Sequence, residues 1–144
     1  MEGISKNRLI ADLRRIGLRE GDHVAVALSF KSLGFVCGGP EVMIDALLEV
    51  VGPNGTIMMN THTYGFPISK IKSNFIFDPK STKSWTGLVP ETLRRRAEAV
   101  RSWHPISSVT AIGKFALMFH LGKLDTLQRI DDVSRIFINT AMPP

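Results

Sequence analysis

The chain has a single cysteine, Cys37, among its 144 residues. A lone thiol makes no intramolecular disulfide and supplies no paired-thiolate zinc site, which fits a reducing compartment. No apolar run approaches the roughly 20 residues that a membrane-spanning helix needs, so no membrane partner is expected. The opening residues, Met1-Glu2-Gly3-Ile4-Ser5, lack the basic stretch and apolar core of a secretory signal. A cytoplasmic location is the expectation. Internal repeats, low-complexity tracts and domain linkers are also missing. No aromatics interleave with the densest basic run, Arg94-Arg95-Arg96 with Arg101 nearby, so the stacking platform of a nucleic-acid binder is absent and no nucleic-acid partner is expected.

What is present is ordinary for a globular protein: 44% hydrophobic and 22% charged residues, which argues against disorder and against a fibrous class. A chain of this length suits one domain and buries roughly 68–70% of its unfolded surface. Eighteen Lys and Arg against 13 Asp and Glu leave +5, which favours anionic partners, a phosphorylated cofactor among them.

Hydrophobic spacing gives the elements. Leu9, Ile10, Leu13 and Ile16 recur at helical intervals between Ser5, an N-cap residue, and Leu18, with Gly17 at the exit. His23 to Ser29 is too short for a helix and predicts a buried strand. Lys31 to Gly39 is glycine-rich, and Pro40 then opens a helix to about Val51 whose apolar stripe is Met43, Ile44, Leu47, Leu48 and Val51. Gly52-Pro53 stops it, and Gly55 to Thr61 predicts a second strand. Strand, loop, helix and strand form one βαβ unit with a right-handed crossover. The expected fold is therefore α/β, with a mixed or parallel sheet flanked by helices. Residues 62 to 87 read as a long irregular segment, a length usually reserved for functional or disordered loops. Pro90 opens a further helix with Leu93 and Ala97 inward and Arg94, Arg95 and Arg96 around the solvated side. Ser107 to Ile112 predicts a third strand, Ala116 to Leu121 a short helix, and Leu124, Leu127, Ile130, Val133 and Ile136 a last helical pattern.

The loop after the first strand carries the most chemistry. A glycine-rich turn feeding a helix N-terminus exposes backbone N–H groups where the helix dipole is positive, a setting suited to phosphate. Gly34-Phe35-Val36-Cys37-Gly38-Gly39 nevertheless matches neither the dinucleotide fingerprint nor the phosphate loop, and the glycines serve equally for a tight turn and close helix packing. Cys37 reads as a small loop residue, since no histidine near it in sequence would activate its thiol.

Four blocks in order add a resemblance. Lys31-Ser32-Leu33-Gly34-Phe35-Val36 with Gly38-Gly39-Pro40 comes first, and Val51-Gly52-Pro53-Asn54-Gly55-Thr56 second. Phe77-Asp78-Pro79 leading to Ser84-Trp85-Thr86-Gly87-Leu88-Val89-Pro90-Glu91 is third, and Arg101-Ser102-Trp103-His104-Pro105, continuing through Ser108 and Gly113, is fourth. Across residues 7 to about 113 the chain resembles the antibiotic N-acetyltransferase family, which includes the aminoglycoside 3-N-acetyltransferases.

The resemblance implies transfer of acetyl from acetyl-coenzyme A to the 3-amino group of a 2-deoxystreptamine antibiotic, in a ternary complex without a metal. Such a reaction needs a general base to free the amine and hydrogen-bond donors for the tetrahedral oxyanion. It places the cofactor against Ser29, Lys31, Ser32, Leu33, Gly34, Gly38, Gly39 and Ser108, and offers Asp78 and Glu91 as carboxylates for the polycationic substrate. Asp78 reads equally as a turn residue and Glu91 as a helix first-turn carboxylate. The family's base, a histidine paired with a carboxylate, lies in a motif without counterpart in these residues. His104 and His62 are the local candidates for proton transfer, His62 because it ends a strand. The family's usual His-Ser-Ser before the glycine loop is here Ala27-Leu28-Ser29. The expectation is thus one domain over residues 1–144, equivalent to the N-terminal part of the family domain, with a divergent tail from about 122 to 144. A truncated enzyme is the first expectation. An inactive remnant binding coenzyme A or a partner is the second, and an obligate homodimer whose subunits complete one another's sheet is the third.

Overall fold

The computed structural model describes residues 2–63 and 71–120, the last two by backbone alone. Part of the irregular segment, including Gly65 and Pro67, therefore lies outside the described residues, as do the helical pattern from Leu124 to Ile136 and the tail.

Among the described residues, four α-helices and four strands follow in the order α1 (Lys6–Arg15), β1 (His23–Ala25), α2 (Gly39–Val51), β2 (Thr56–Asn60), α3 (Leu88–Arg94), β3 (Val100–Arg101), β4 (Val109–Gly113) and α4 (Ala116–His120). The sheet order is β1-β2-β4-β3. β1 and β2 are parallel, with His23 opposite Thr56, while β4 runs antiparallel to both β2 and β3. The sheet is thus mixed, as one of the two expected forms.

Local chemistry accounts for the helices. The Ser5 hydroxyl accepts from Arg8 N–H at 3.3 Å and starts α1, and Arg14 and Arg15 in its last turn suit the negative end of the helix dipole. Pro40 lies in the first turn of α2, where its missing N–H costs nothing, and the Gly52 N–H closes the helix on Leu48 O at 2.9 Å.

Because side chains alternate along β2, Ile57 and Met59 face one side of the sheet and Met58 the other. The first side holds the main core: Leu9, Ile10 and Leu13 of α1, Met43, Ile44 and Leu47 of α2, and Val89 and Leu93 of α3. Against the second side a smaller cluster forms from Val109, Ala111 and Ala116, with Met58 and Val100 at its margin.

Four expectations need correction. The first strand is regular only to Ala25; Val26 still donates to Met58 O at 2.8 Å, and the chain then peels into a 3-10 turn, Phe30–Leu33, closed by Ser32 N–H on Ser29 O at 3.1 Å. The helix at Pro90 begins at Leu88 and ends at Arg94, so Ala97 lies beyond it and is exposed. The third predicted strand starts at Val109 instead of Ser107. The basic run is solvated only in part: Arg95 is exposed and Arg96 half-buried, but Arg94 is buried against the Glu91 carboxylate. The two-residue β3 was too short to show any periodicity.

Candidate functional site

Since β1 and β2 are parallel, their C-terminal ends open on one edge of the sheet, where open α/β sheets take ligands. Past β1 the Ser29 and Ser32 hydroxyls share a hydrogen bond of 3.0 Å across the 3-10 turn. Gly34, Gly38 and Gly39 all have positive φ, at 87°, 87° and 71°. A Cβ on Gly34 or Gly39 would meet no atom within 4 Å, so those glycines answer to backbone conformation and leave bare main chain facing outward. Gly38 is closed in by the Val42 side chain. Ser29, Lys31, Ser32, Gly34 and Gly38 are exposed, with Leu33 and Gly39 half-buried. Together they form an open polar ledge that leads into the N-terminus of α2. No neighbouring atom stands within 4 Å of a Cβ built on Gly34 or Gly39 to obstruct approach to that main chain.

The ledge is pinned from beneath. Ile4 N–H donates to Phe35 O at 2.8 Å and Cys37 N–H to Ile4 O at 2.9 Å, tying the loop to the segment before α1. Cys37 itself is exposed and unpaired by any disulfide.

Ser108 stands apart from the other expected cofactor residues. It is fully buried, donates to Thr61 O at 2.7 Å and accepts from Arg101 Nε at 2.9 Å, so its hydroxyl has no surface to offer a ligand. The Thr61 and Thr110 hydroxyls, 2.9 Å apart, complete this buried polar cluster. Sequence reasoning missed Arg101, Thr61 and Thr110. The one available signal was an arginine set among Ser and Thr in strand-forming stretches.

Both expected substrate carboxylates are engaged locally. Asp78 accepts from Lys80 N–H at 2.9 Å and from the Ser81 hydroxyl at 2.7 Å, which holds its carboxyl below the usual range. Burial pushes the Glu91 carboxyl up, but Arg94 and the Ser84 N–H more than offset this and keep it below its ordinary 4.5. Glu91 Oε2 accepts from Ser84 N–H and from Arg94 Nε, each at 2.8 Å, and Oε1 accepts from Arg94 Nη2. This is a two-pronged Arg–carboxylate pair.

The histidines separate clearly. His104 is exposed, and its Nδ1 accepts from Ser107 N–H at 2.8 Å and Ile106 N–H at 3.3 Å. A neutral ring accepting at Nδ1 carries its proton on Nε2, and therefore presents a donor to solvent. His62 is half-buried just past β2, and its carbonyl accepts from Trp85 N–H at 2.8 Å. The His23 ring packs at a tilt of 50° against Phe115, with ring centroids 4.4 Å apart. Among the described residues no histidine forms an ion pair with a carboxylate, and no three His, Cys, Asp or Glu side chains converge as a metal site would require.

A cleft of about 530 Å³ opens beside β3, with Lys80, Arg94, Arg95, Arg96 and Arg101 in its lining. Three of these cations are held internally: Arg94 by Glu91, Arg101 by the buried cluster, and Arg96 by Glu41 at 2.5 Å and Asp45 at 2.7 Å. Most of its positive lining is therefore structural. No helix among the described residues is long and apolar enough to cross a membrane.

A family model described as aminoglycoside 3-N-acetyltransferase matches residues 26–129, past Gly113 where the motif blocks end. The chain is 35% identical over 127 residues to aminoglycoside N(3)-acetyltransferase VII of Streptomyces paromomycinus, covering 78% of this chain and 44% of that protein. Among solved structures, AAC-IIIb binary with CoASH superposes with a TM-score of 0.72 at 27% identity, over 80% of this chain and 48% of that one. AAC-VIa bound to sisomicin gives 0.72 at 31% identity, over 81% and 48%. The chain thus spans about half the length of these relatives. The matched span holds the ledge, β2 and the buried arginine cluster together, and on that match the chain belongs to the aminoglycoside 3-N-acetyltransferase family.

Proposed function

We propose that this chain supplies the acetyl-coenzyme A-binding part of an aminoglycoside 3-N-acetyltransferase. The observation that carries the reading is the ledge of Ser29, Lys31, Ser32, Leu33, Gly34, Gly38 and Gly39. Its positive-φ glycines expose bare backbone at the end of a parallel strand pair, within the span the family model matches. Lys31 and the positive end of the α2 dipole favour the cofactor's phosphates, and the Ser29 and Ser32 hydroxyls offer hydrogen bonds to its amide-bearing arm.

Acetyl transfer begins once the substrate's ammonium has lost a proton. Attack of the free amine on the thioester carbonyl forms the C–N bond and leaves the nitrogen cationic; it gives up a second proton, collapse of the oxyanion breaks the C–S bond, and the departing coenzyme A thiolate takes up a proton. Of this chain's own residues we assign His62, just past the C-terminal end of β2, as the acceptor of the first proton. His104 has its Nδ1 committed to two backbone N–H groups and presents Nε2–H, so it suits donation. In this proposal Asp78 and Glu91 shape the wall of the site and Ser108 supports it from below, in place of direct ligand contact. The partners are coenzyme A and an aminoglycoside, in the cytoplasm.

A second reading has a specific observation in its favour: no described histidine is paired with a carboxylate. A chain so equipped would hold coenzyme A without turnover. Release of coenzyme A thiol from acetyl-coenzyme A, measured across a panel of aminoglycosides, separates the two. Amine-dependent release that falls at least tenfold in His62→Ala supports transfer by this chain; absence of release from a folded chain that still binds coenzyme A leaves the binding reading.

A further inference from the structure

The long segment after β2 is seated by one side chain from elsewhere in the chain. Arg101, on the short edge strand β3, is only 5% exposed. Its guanidinium donates from Nε to the Ser108 hydroxyl at 2.9 Å and from Nη2 to Thr61 O at 2.9 Å. From Nη1 it donates to Pro79 O at 3.2 Å and to Thr82 O. The Phe77 ring lies 4.9 Å from its Cζ, within cation–π range. One planar group therefore joins the end of β2, the approach to β4 and the turn at 78–82.

Shape and placement of that turn have different origins. Asp78 caps it locally through Lys80 N–H and Ser81, and Thr82 N–H closes it on Asp78 O at 2.9 Å. Nothing in those bonds fixes where the turn lies. Placement comes from Arg101, with Arg94 adding a bond to Lys80 O at 2.5 Å and Glu91 one to Ser84 N–H. Directly after the turn, Trp85 N–H donates to His62 O at 2.8 Å and the Thr86 hydroxyl to Asn60 O at 2.6 Å. The seated segment thus covers the same sheet edge on which the ledge opens.

We propose that Arg101 is a positioning residue, which sets residues 77–86 over the C-terminal end of β2 before any ligand arrives. Only the identity of that ligand rests on the function proposed above. Lysine cannot replace it, because an ammonium presents three donors from one point, whereas the guanidinium fork reaches the strand end and the turn on opposite sides at once.

The test is amide hydrogen exchange read residue by residue in wild type and Arg101→Lys. The Trp85 N–H reports seating, the Thr82 N–H the turn's own shape, and the Met59 N–H the sheet. Expected is a rise of about tenfold or more at Trp85, with Met59 changed less than about threefold, the pattern of a local opening. Saturating coenzyme A then slows Trp85 exchange in the variant, because the ligand binds the seated form. Unchanged Trp85 exchange, an equal rise at Met59, or no slowing by coenzyme A in a variant that binds it would each overturn the proposal. Should Arg101→Lys fail to fold, Phe77→Ala loosens the same guanidinium from the turn side, and an unaltered Trp85 there is equally decisive. Calorimetry showing that wild type binds no coenzyme A counts against the proposed function alone, and the contrast between Trp85 and Met59 still decides the role of Arg101.

Discussion

Ser29 and Ser108 are the same residue type, both lie past the sheet's edge, and both fall in blocks expected to hold a cofactor, yet the chain uses them in opposite ways. Ser29 is exposed on a ledge whose glycines leave backbone bare; Ser108 is fully buried with its hydroxyl bonded to Thr61 and Arg101. The ledge is open to solvent and is tied to the segment before α1 through Ile4. The buried cluster meets the chain's own carbonyls, and a group lost there leaves partners stranded in a low-dielectric interior. Substitutions in the two regions should therefore separate stability from binding.

The largest effect is expected at the closed region. Glu91→Ala strands the Arg94 guanidinium, and denaturant unfolding should show a loss of about 3 kcal/mol. A loss under about 1 kcal/mol would mean that solvent substitutes for the carboxylate and that the region is less closed than described. At the ledge, Gly34→Ala places a side chain at φ 87° and ψ −154°, a region essentially reserved for glycine, and should cost about 1–3 kcal/mol by the same measurement. No neighbour obstructs the new methyl group, so this is strain alone, and any loss of coenzyme A affinity beyond it marks direct contact.

A pH series sharpens the contrast. The folded Glu91 carboxyl lies below its ordinary 4.5, so between those values the unfolded chain binds the extra proton. Its contribution is complete above about pH 4.5 and disappears as pH falls through the folded value. The stability gap between wild type and Glu91→Gln should accordingly narrow below pH 4.5, while the gap for Gly34→Ala stays constant. The smallest stability change belongs to Ser29→Ala, within about 0.5 kcal/mol. Its coenzyme A affinity should fall about 3–10-fold, the worth of one hydrogen bond.

The apolar architecture was legible because periodicity reports burial directly. Met43, Ile44 and Leu47 were expected on one stripe and are among the most buried side chains. The βαβ unit followed from a strand too short to be a helix on either side of a Pro-started, Gly-stopped one. The glycine loop between strand and helix was legible as a feature, although its glycines read equally as a phosphate setting and as a tight turn with close helix packing. What escaped was the polar interior. An arginine run has one appearance in sequence whether it meets water or buried carbonyls. Nothing local to Arg101 announces that the carbonyl of Thr61, 40 positions earlier, accepts a hydrogen bond from it. The roles of Asp78 and Glu91 were legible only as alternatives, for the same reason: a carboxylate that caps its own turn and one that awaits a ligand differ in what lies opposite, and that is set by tertiary contact.

The central claim is that the ledge receives the cofactor. Titrating coenzyme A into the folded chain while following backbone amide resonances tests it directly. The account predicts saturable shifts concentrated on Ser29 to Gly39; saturable shifts that leave those residues unmoved, or no shifts at all from a folded chain, would contradict it.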